Sequence, residues 1–373
     1  MSTEWARTAP AKALNSIAQE NGVVQPTPDD LDNSWPSDAT FDEHSLVIQD
    51  APPIVMDHAL LLHILRNKVK SARSPDAGGW TKELLWPVVR SDRRLLAPML
   101  ETIFNSTDPR TLQLVSNDRG LILGNSATGK RRGVAVSNLF SLLVWRCQFA
   151  RASLIYHDGE VPARQAAVVV SELVTRGDVV KTDAVNAFHT IARAAMRQEI
   201  VKQKLTSIFR LWNTFYARAT TITCWWDGQA LTATINRGVR AGCASGDRLF
   251  RLGLKATLAR INTFGYRTLS VVDDVYITAP MSQQLLNTVT SEFATVDLRI
   301  HPVKTTTVRN GQLVLGTKLS KGIPTTVEEV WKPVSQSIDR LMFAPIPLHA
   351  KWYLYRSIMS KIEFPRDTEC HER

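Results

Sequence analysis

The sequence predicts an α+β fold, and three observations carry that prediction. Leu269-Ser270-Val271-Val272-Asp273-Asp274-Val275-Tyr276-Ile277 is β-branched and apolar except for two adjacent carboxylates, the pattern of an apolar hairpin with acids at its tip. Gly177-Asp178-Val179-Val180-Lys181-Thr182-Asp183-Ala184-Val185-Asn186-Ala187-Phe188 places another carboxylate where a strand pattern gives way to a helical one. From Asp57 onward, Leu60-Leu61-Leu62, Ile64-Leu65 and Val69 recur at helical spacing, which opens a packed domain.

Along the chain, residues 22–56 hold prolines at 26, 28, 36, 52 and 53, many acids, and neither Lys nor Arg. Such a stretch offers little apolar surface to offset chain entropy, so residues 1–57 are expected to be a disordered acidic leader, with at most a short helix over Ala11 to Gln19. Further helical patterns fit Thr81 to Trp86, Leu95 to Phe104, Leu139 to Ala152 and Ala163 to Thr175. Thr221 to Thr232 reads as a hairpin closed by Asp227-Gly228, and its Trp225 and Trp226 are expected to pack, with base stacking as the alternative. After Lys318, Val327 to Met342 and Trp352 to Ile362 read as two amphipathic helices around a Pro-rich turn.

With 373 residues, 44% of them hydrophobic, the chain can bury a sizeable core. Its net charge of +10 is uneven, because residues 1–60 carry ten acids against Arg7 and Lys12, leaving the remainder strongly basic. A basic body favours a polyanion, with Lys and Arg contacts to phosphate supplying sequence-independent affinity. Cys147, Cys224, Cys243 and Cys370 lack the paired spacing of a zinc or redox motif and read as free thiols of an intracellular protein; Cys370-His371 has no second pair to complete a metal site. No apolar run approaches the length of a membrane span, so no membrane partner is expected.

Adjacent carboxylates repel, and each raises the other's pKa unless a cation neutralises the pair. Magnesium takes hard oxygen ligands of this kind. Asp183, Asp273 and Asp274 are therefore the candidate ligands of a two-metal phosphoryl-transfer site, with unrelated acids at surface turns as the plain alternative. Gly124-Asn125-Ser126-Ala127-Thr128-Gly129-Lys130 fits most of a phosphate-binding loop, but Arg131 stands where a Ser or Thr should ligate magnesium, and a strand pattern follows where a helix should open. It reads instead as a hairpin tip between Leu121-Ile122-Leu123 and Val134-Ala135-Val136.

The order of Asp183 with Phe188, then Gly238-Val239-Arg240-Ala241-Gly242-Cys243, then Val272-Asp273-Asp274, then Lys304-Thr305, then Leu315-Gly316 resembles motifs A to E of reverse transcriptases of the non-LTR retrotransposon type. Upstream, Pro75-Asp76-Ala77-Gly78-Gly79-Trp80-Thr81-Lys82-Glu83-Leu84-Leu85 looks like that family's fingers signature, and Lys130-Arg131-Arg132-Gly133-Val134-Ala135-Val136 is similar to its basic strand. The likeness covers residues 60 to 360. It implies a right-hand polymerase with fingers over 58–175, a palm with a fingers insertion over 176–320, and a partial thumb over 321–373. The implied activity is RNA-directed DNA synthesis, with an RNA template, a DNA or RNA primer, dNTPs, and two Mg2+ ions that Mn2+ can replace.

The resemblance also implies roles. Asp183 and Asp273 bridge the metals and Asp274 supports them. Phe188 is the steric gate against a ribose 2′-hydroxyl, and also suits a core position. Lys130 and Arg132 hold the triphosphate, Arg132 by its planar fork. Ala241 and Gly242 cradle the nucleotide, Lys304 protonates pyrophosphate, and Leu315 and Gly316 form the primer grip; a lone Lys or a tight-turn Gly is otherwise ordinary. The chain departs from the family at Ala241, where Gln is usual, and at Ala244, Gly246 and Asp247. Ser245-Gly246-Asp247 resembles viral RNA-dependent RNA polymerases instead, although Phe250 and Leu254 stand where those carry Thr and Asn. A viral RNA polymerase, a degenerate nucleic-acid-binding copy and an unrelated RNA-binding module are the remaining alternatives.

Overall fold

The computed structural model describes residues 22–69, 75–124, 129–161 and 163–309 with the strand segments 313–314 and 317–318. It is α+β, as the periodicities require. The first part runs β1 (Gly22–Val24), α1 (Pro28–Ser34), α2 (Glu43–Leu46), α3 (His58–Asn67), α4 (Lys82–Ser91), α5 (Leu96–Phe104), α6 (Pro109–Ser116), β2 (Asp118–Gly124), β3 (Arg131–Val136) and α7 (Leu139–Arg151). Next come α8 (Ala163–Arg176), β4 (Val179–Thr182), α9 (Ala187–Thr190), α10 (Arg193–Lys202), α11 (Phe209–Phe215), β5 (Thr220–Trp226) and β6 (Gln229–Ile235). The last part holds α12 (Gly246–Thr263), β7 (Arg267–Val271), β8 (Asp274–Thr278), α13 (Gln283–Ala294), β9 (Thr306–Thr307), β10 (Leu313–Val314) and β11 (Thr317–Lys318).

Helix starts follow local chemistry. Asp57, Thr81 and Asn138 each accept a hydrogen bond from a first-turn amide of α3, α4 and α7, satisfying donors the helix cannot pair internally. Helix α4 runs beyond the expected Trp86, through Pro87 to Ser91, because Leu85 and Val89 on one face are both buried. Tertiary burial there outweighs the backbone bond that Pro87 removes.

Two sheets position everything that follows. In the first, β2 pairs β3 along one edge, while its other edge is shared between antiparallel β1 and parallel β5, which in turn pairs β6. The β5–β6 turn puts Asp227 at φ 46° and Gly228 at φ 79°, the left-handed pair that a two-residue hairpin demands. The second sheet has the order β7-β8-β4-β9 and is antiparallel throughout. Its Val180, Val275 and Ile277 join the main core, which also takes Trp145, Trp212, Phe215 and Leu249 from the helices.

The expected disordered leader is corrected for residues 22–57. Trp35 and Leu31 plug the inner face of the first sheet, and Leu46, Ile48, Ile54 and Met56 enter the main core. The intervening extended backbone is held by side-chain amides that bond both ways, as a strand would. Asn236 takes Asp38 N at 2.7 Å and gives to its carbonyl at 2.8 Å. Asn213 does the same at Ile48 and Asn105 at Ile54. A polar, proline-rich composition misleads here because few apolar residues suffice when each falls into a cleft built elsewhere. The helices expected over Ala11 to Gln19, Val327 to Met342 and Trp352 to Ile362, and the Cys370-His371 pair, lie outside the described residues. Among the described residues, no helix is long and apolar enough to cross a membrane.

Candidate active site

The site is built by strand register. Strand β4 pairs β8 with Lys181 opposite Tyr276 and Thr182 opposite Val275. One step further, Asp183 leaves β4 just where Asp274 opens β8, so two carboxylates meet at one sheet edge. Like charges set across a ladder repel. Here two lysines stand against them, Lys181 Nζ at 2.5 Å from Asp274 Oδ1 and Lys304 Nζ at 3.3 Å from Asp183 Oδ2. The 299–305 segment fixes Asp183 from behind: His301 N donates to its carbonyl at 2.7 Å, and Val185 N donates to Arg299 O at 2.8 Å.

Asp273 lies between β7 and β8, after Val272, whose φ of +60° puts a β-branched residue in the left-handed region. Its surface is open to solvent, yet surrounding atoms desolvate it; that effect first, then the charges of Asp274 and Asp183, hold its carboxyl above the usual range. The three acids therefore share one electrostatic neighbourhood. Among the described residues, however, no group of three or more His, Cys, Asp or Glu is gathered tightly enough to hold a metal ion.

Phe188 begins the next layer. Its ring stacks on Phe250 of α12, with centroids 4.8 Å apart and planes at 16°. Its carbonyl accepts from Val239 N at 2.6 Å. Gly238, at φ +59°, sits so close that an added Cβ would lie 2.3 Å from the His189 carbonyl carbon. Gly242, at φ +95°, faces β3 in the same way, its Cβ position 2.6 Å from Ala135 O, and Ala135 N donates to Ala241 O at 2.8 Å. Ala241 and Gly242 thus dock backbone to backbone on β3, and the 238–243 loop ties α9 to the basic hairpin.

In that hairpin, strands β2 and β3 flank residues 125–130, as the hairpin reading requires and the phosphate-loop reading forbids. Arg131 is spoken for: its Nε and Nη2 lie 2.6 and 2.7 Å from the two Asp30 oxygens. Arg132 is exposed and points to the other face, sharing it with Val134, which meets Gly242. Lys130 is also exposed, beside the tip. Leu315 and Gly316 lie outside the described residues.

Four residues of this neighbourhood carried no role of their own in the sequence reading. Lys181 is one; alternation along β4 places it on the side of Asp183, a signal visible only once the strand is assigned. Arg193 is buried and donates to the carbonyls of Tyr216, Arg218, Ile235, Arg237 and Gly238, which fixes where the 238–243 loop begins; burial pushes its pKa down to about 9. Arg240, within the loop motif, is fully buried against Asp118 at 2.8 Å and faces away from solvent. Ser245 bonds Tyr216 Oη at 2.8 Å and so packs the start of α12.

No protein-family model matches the sequence. The chain is 22% identical over 231 residues to the retrotransposable element SLACS 132 kDa protein of Trypanosoma brucei gambiense, a match taking in 58% of this chain and 20% of that protein. The chain is a distant and partial relative of a retrotransposable-element protein, and spans about a fifth of its length.

Proposed function

We propose that this chain is the RNA-directed DNA polymerase core of a retroelement, with a right-hand polymerase fold in which the β7-β8-β4-β9 sheet is the palm. The observation that carries the reading is the arrival of Asp183, Asp273 and Asp274 at one sheet edge from strands 90 residues apart in sequence. Similarity to a retrotransposable-element protein supports it.

The donor set suits a hard cation: carboxylate oxygens, solvent access, and an Asp273 carboxyl whose pKa is raised by desolvation and then by its acidic neighbours. Asp183 and Asp273 would hold magnesium or manganese, with Asp274 kept in place by Lys181. Bound there, the two ions would supply Lewis acidity at the primer 3′-hydroxyl and at the departing pyrophosphate. Lys304 occupies Asp183 in this state; its exposed ammonium can leave that carboxylate and give a proton to pyrophosphate. Arg132 and Lys130 would bind the triphosphate of the incoming dNTP, next to the cradle formed by Ala241 and Gly242. Leu315 and Gly316 are assigned to the primer grip by their order alone.

The Phe188–Phe250 stack favours deoxynucleotides. In this reading the apolar ring pair would stand where a ribose-selecting site needs hydrogen-bonding groups, so a 2′-hydroxyl would be desolvated without a partner. A second reading, nucleic-acid binding without catalysis, is favoured by the two lysine–carboxylate pairs and by Ala241. Primer extension on an RNA template with magnesium or manganese decides between them. The expected result is extension with dNTPs, none with ribonucleotides, and loss in Asp273→Asn. Ribonucleotide extension would point to a viral RNA polymerase, and binding without extension to an inactive copy.

A further inference from the structure

Trp225 is the aromatic residue that the packing of the first sheet does not use. It is 55% exposed, although its neighbour Cys224 is buried. Register settles which residues share its face. Arg132 pairs Leu123 and Val134 pairs Leu121 across β2–β3, Arg119 pairs Thr223 across β2–β5, and Trp225 pairs Ala230 across β5–β6. Paired residues project to the same side, as do alternate residues of a strand. Arg132, Val134, Leu121, Thr223, Thr232 and Trp225 therefore lie on one face. The opposite face holds Ile122, Ala135, Ile222, Cys224 and Ile235 and is filled by Leu31 and Trp35.

The Trp225 face has the chemistry of a polyanion with rings. None of the strand residues on it is acidic, and it carries Arg119 and Arg132; Asp227 follows in the turn. Because β2 and β5 are parallel, the chain leaves the sheet at the same end after Gly124 and after Trp226, with β1, paired to residues 122–124, lying between the two ends. At Val134 the face meets Gly242 of the 238–243 loop. A single-stranded nucleic acid uses both the π face of the indole and the cations around it.

We propose that this face is a stacking platform for single-stranded nucleic acid, with Trp225 stacking a base and Arg132 contacting phosphate. It shares with the polymerase reading Arg132 and the class of polymer handled, and needs no catalysis. The test is anisotropy of a labelled single-stranded RNA, in chelator, with wild type, Trp225→Ala, Trp225→Leu, Trp225→Tyr and Asp273→Asn, each checked for folding by circular dichroism. Expected are about tenfold weaker binding for Ala and Leu, and near wild-type binding for Tyr, because stacking needs a ring. Asp273→Asn should bind no more weakly than wild type.

Photocrosslinking of 5-iodouridine RNA should map to Trp225 by peptide mass spectrometry. Unchanged binding in Trp225→Ala, absent binding in wild type, or crosslinks confined to other segments would overturn the proposal. So would full retention by Leu, which would identify an apolar surface for a protein. Trp225-dependent binding without primer extension would sink the polymerase reading alone. Extension by wild type with Trp225→Ala binding equally well would sink the platform alone.

Discussion

Two acid–base clusters sit a short way apart in sequence and play opposite parts. Asp118 and Arg240 are both 1% exposed, paired at 2.8 Å, and the guanidinium also bonds Ser116 O and Thr220 Oγ1. Asp183 with Lys304 and Asp274 with Lys181 stand at an open sheet edge, where the lysines are 53% and 29% exposed. The first cluster has little access to water and no cheap alternative to its present partners. The second, in the proposed function, would trade a lysine for another cation. A carboxylate paired with a basic side chain is thus a brace where it is buried and, in the proposed function, a ligand site where it is open.

The sharpest way to break that contrast is to cut the buried pair. Arg240→Met should cost roughly 3–5 kcal/mol in urea unfolding, because Asp118 is left charged and unpaired, and pairing it with Asp118→Leu should recover much of the loss. A single substitution with less than about 1 kcal/mol of effect would place both clusters in one class. At the open edge, Asp273→Asn should lower primer extension by roughly 10²–10³-fold, the scale of one lost electrostatic group at a transition state. Its thermal midpoint should stay level or rise, since one of three mutually repelling acids is removed. A drop in that midpoint comparable to the Arg240 variant would show the acids to be structural.

Between these extremes lies His189, whose imidazole is kept neutral by burial, with its pKa pushed down to about 4. The unfolded chain, with an ordinary histidine near 6.5, binds the proton more readily. Its contribution is therefore complete above pH 6.5 and is lost as pH falls through 4, by at most about 3 kcal/mol. His157, also lowered by burial, acts in the same direction. Denaturant titrations across that range should show the slope, and His189→Gln should flatten it; an unchanged slope would assign the acid sensitivity elsewhere. The smallest effect is expected at Lys181→Met, no more than about 1 kcal/mol of stability, as for other partly exposed pairs. A larger loss would move this pair toward the Asp118–Arg240 class.

Much of the site was readable locally. The Asp227-Gly228 turn, the hairpin carrying Asp273 and Asp274, and the strand ending at Asp183 each follow from residues within a dozen positions of one another. The same holds for the hairpin, rather than a phosphate loop, at Gly124 to Lys130. Other features were not readable because their partners are remote. Arg131 and Arg132 are adjacent and chemically alike, and only Asp30, a hundred residues away, removes Arg131 from the basic tip. Residues 22–57 have the composition of a disordered segment, and it takes clefts from α5, α7 and α11 to order them. Trp225 and Trp226 read alike, yet strand alternation leaves the first exposed and turns the second toward the α1 side of the sheet.

By itself the sequence determined the α+β class, the position of the three carboxylates at element ends, the apolar ring at 188 and the basic character of the hairpin. These are properties of short-range pattern, set by the periods of strand and helix and by turn chemistry. Only the tertiary structure decided that Lys181 and Lys304 guard the acids, that Arg240 is a brace, and that Arg132 shares a face with Trp225. Those outcomes depend on pairings between segments far apart in the chain, and a register shift of one residue would send the strand side chains among them, Lys181, Arg132 and Trp225, to the other side.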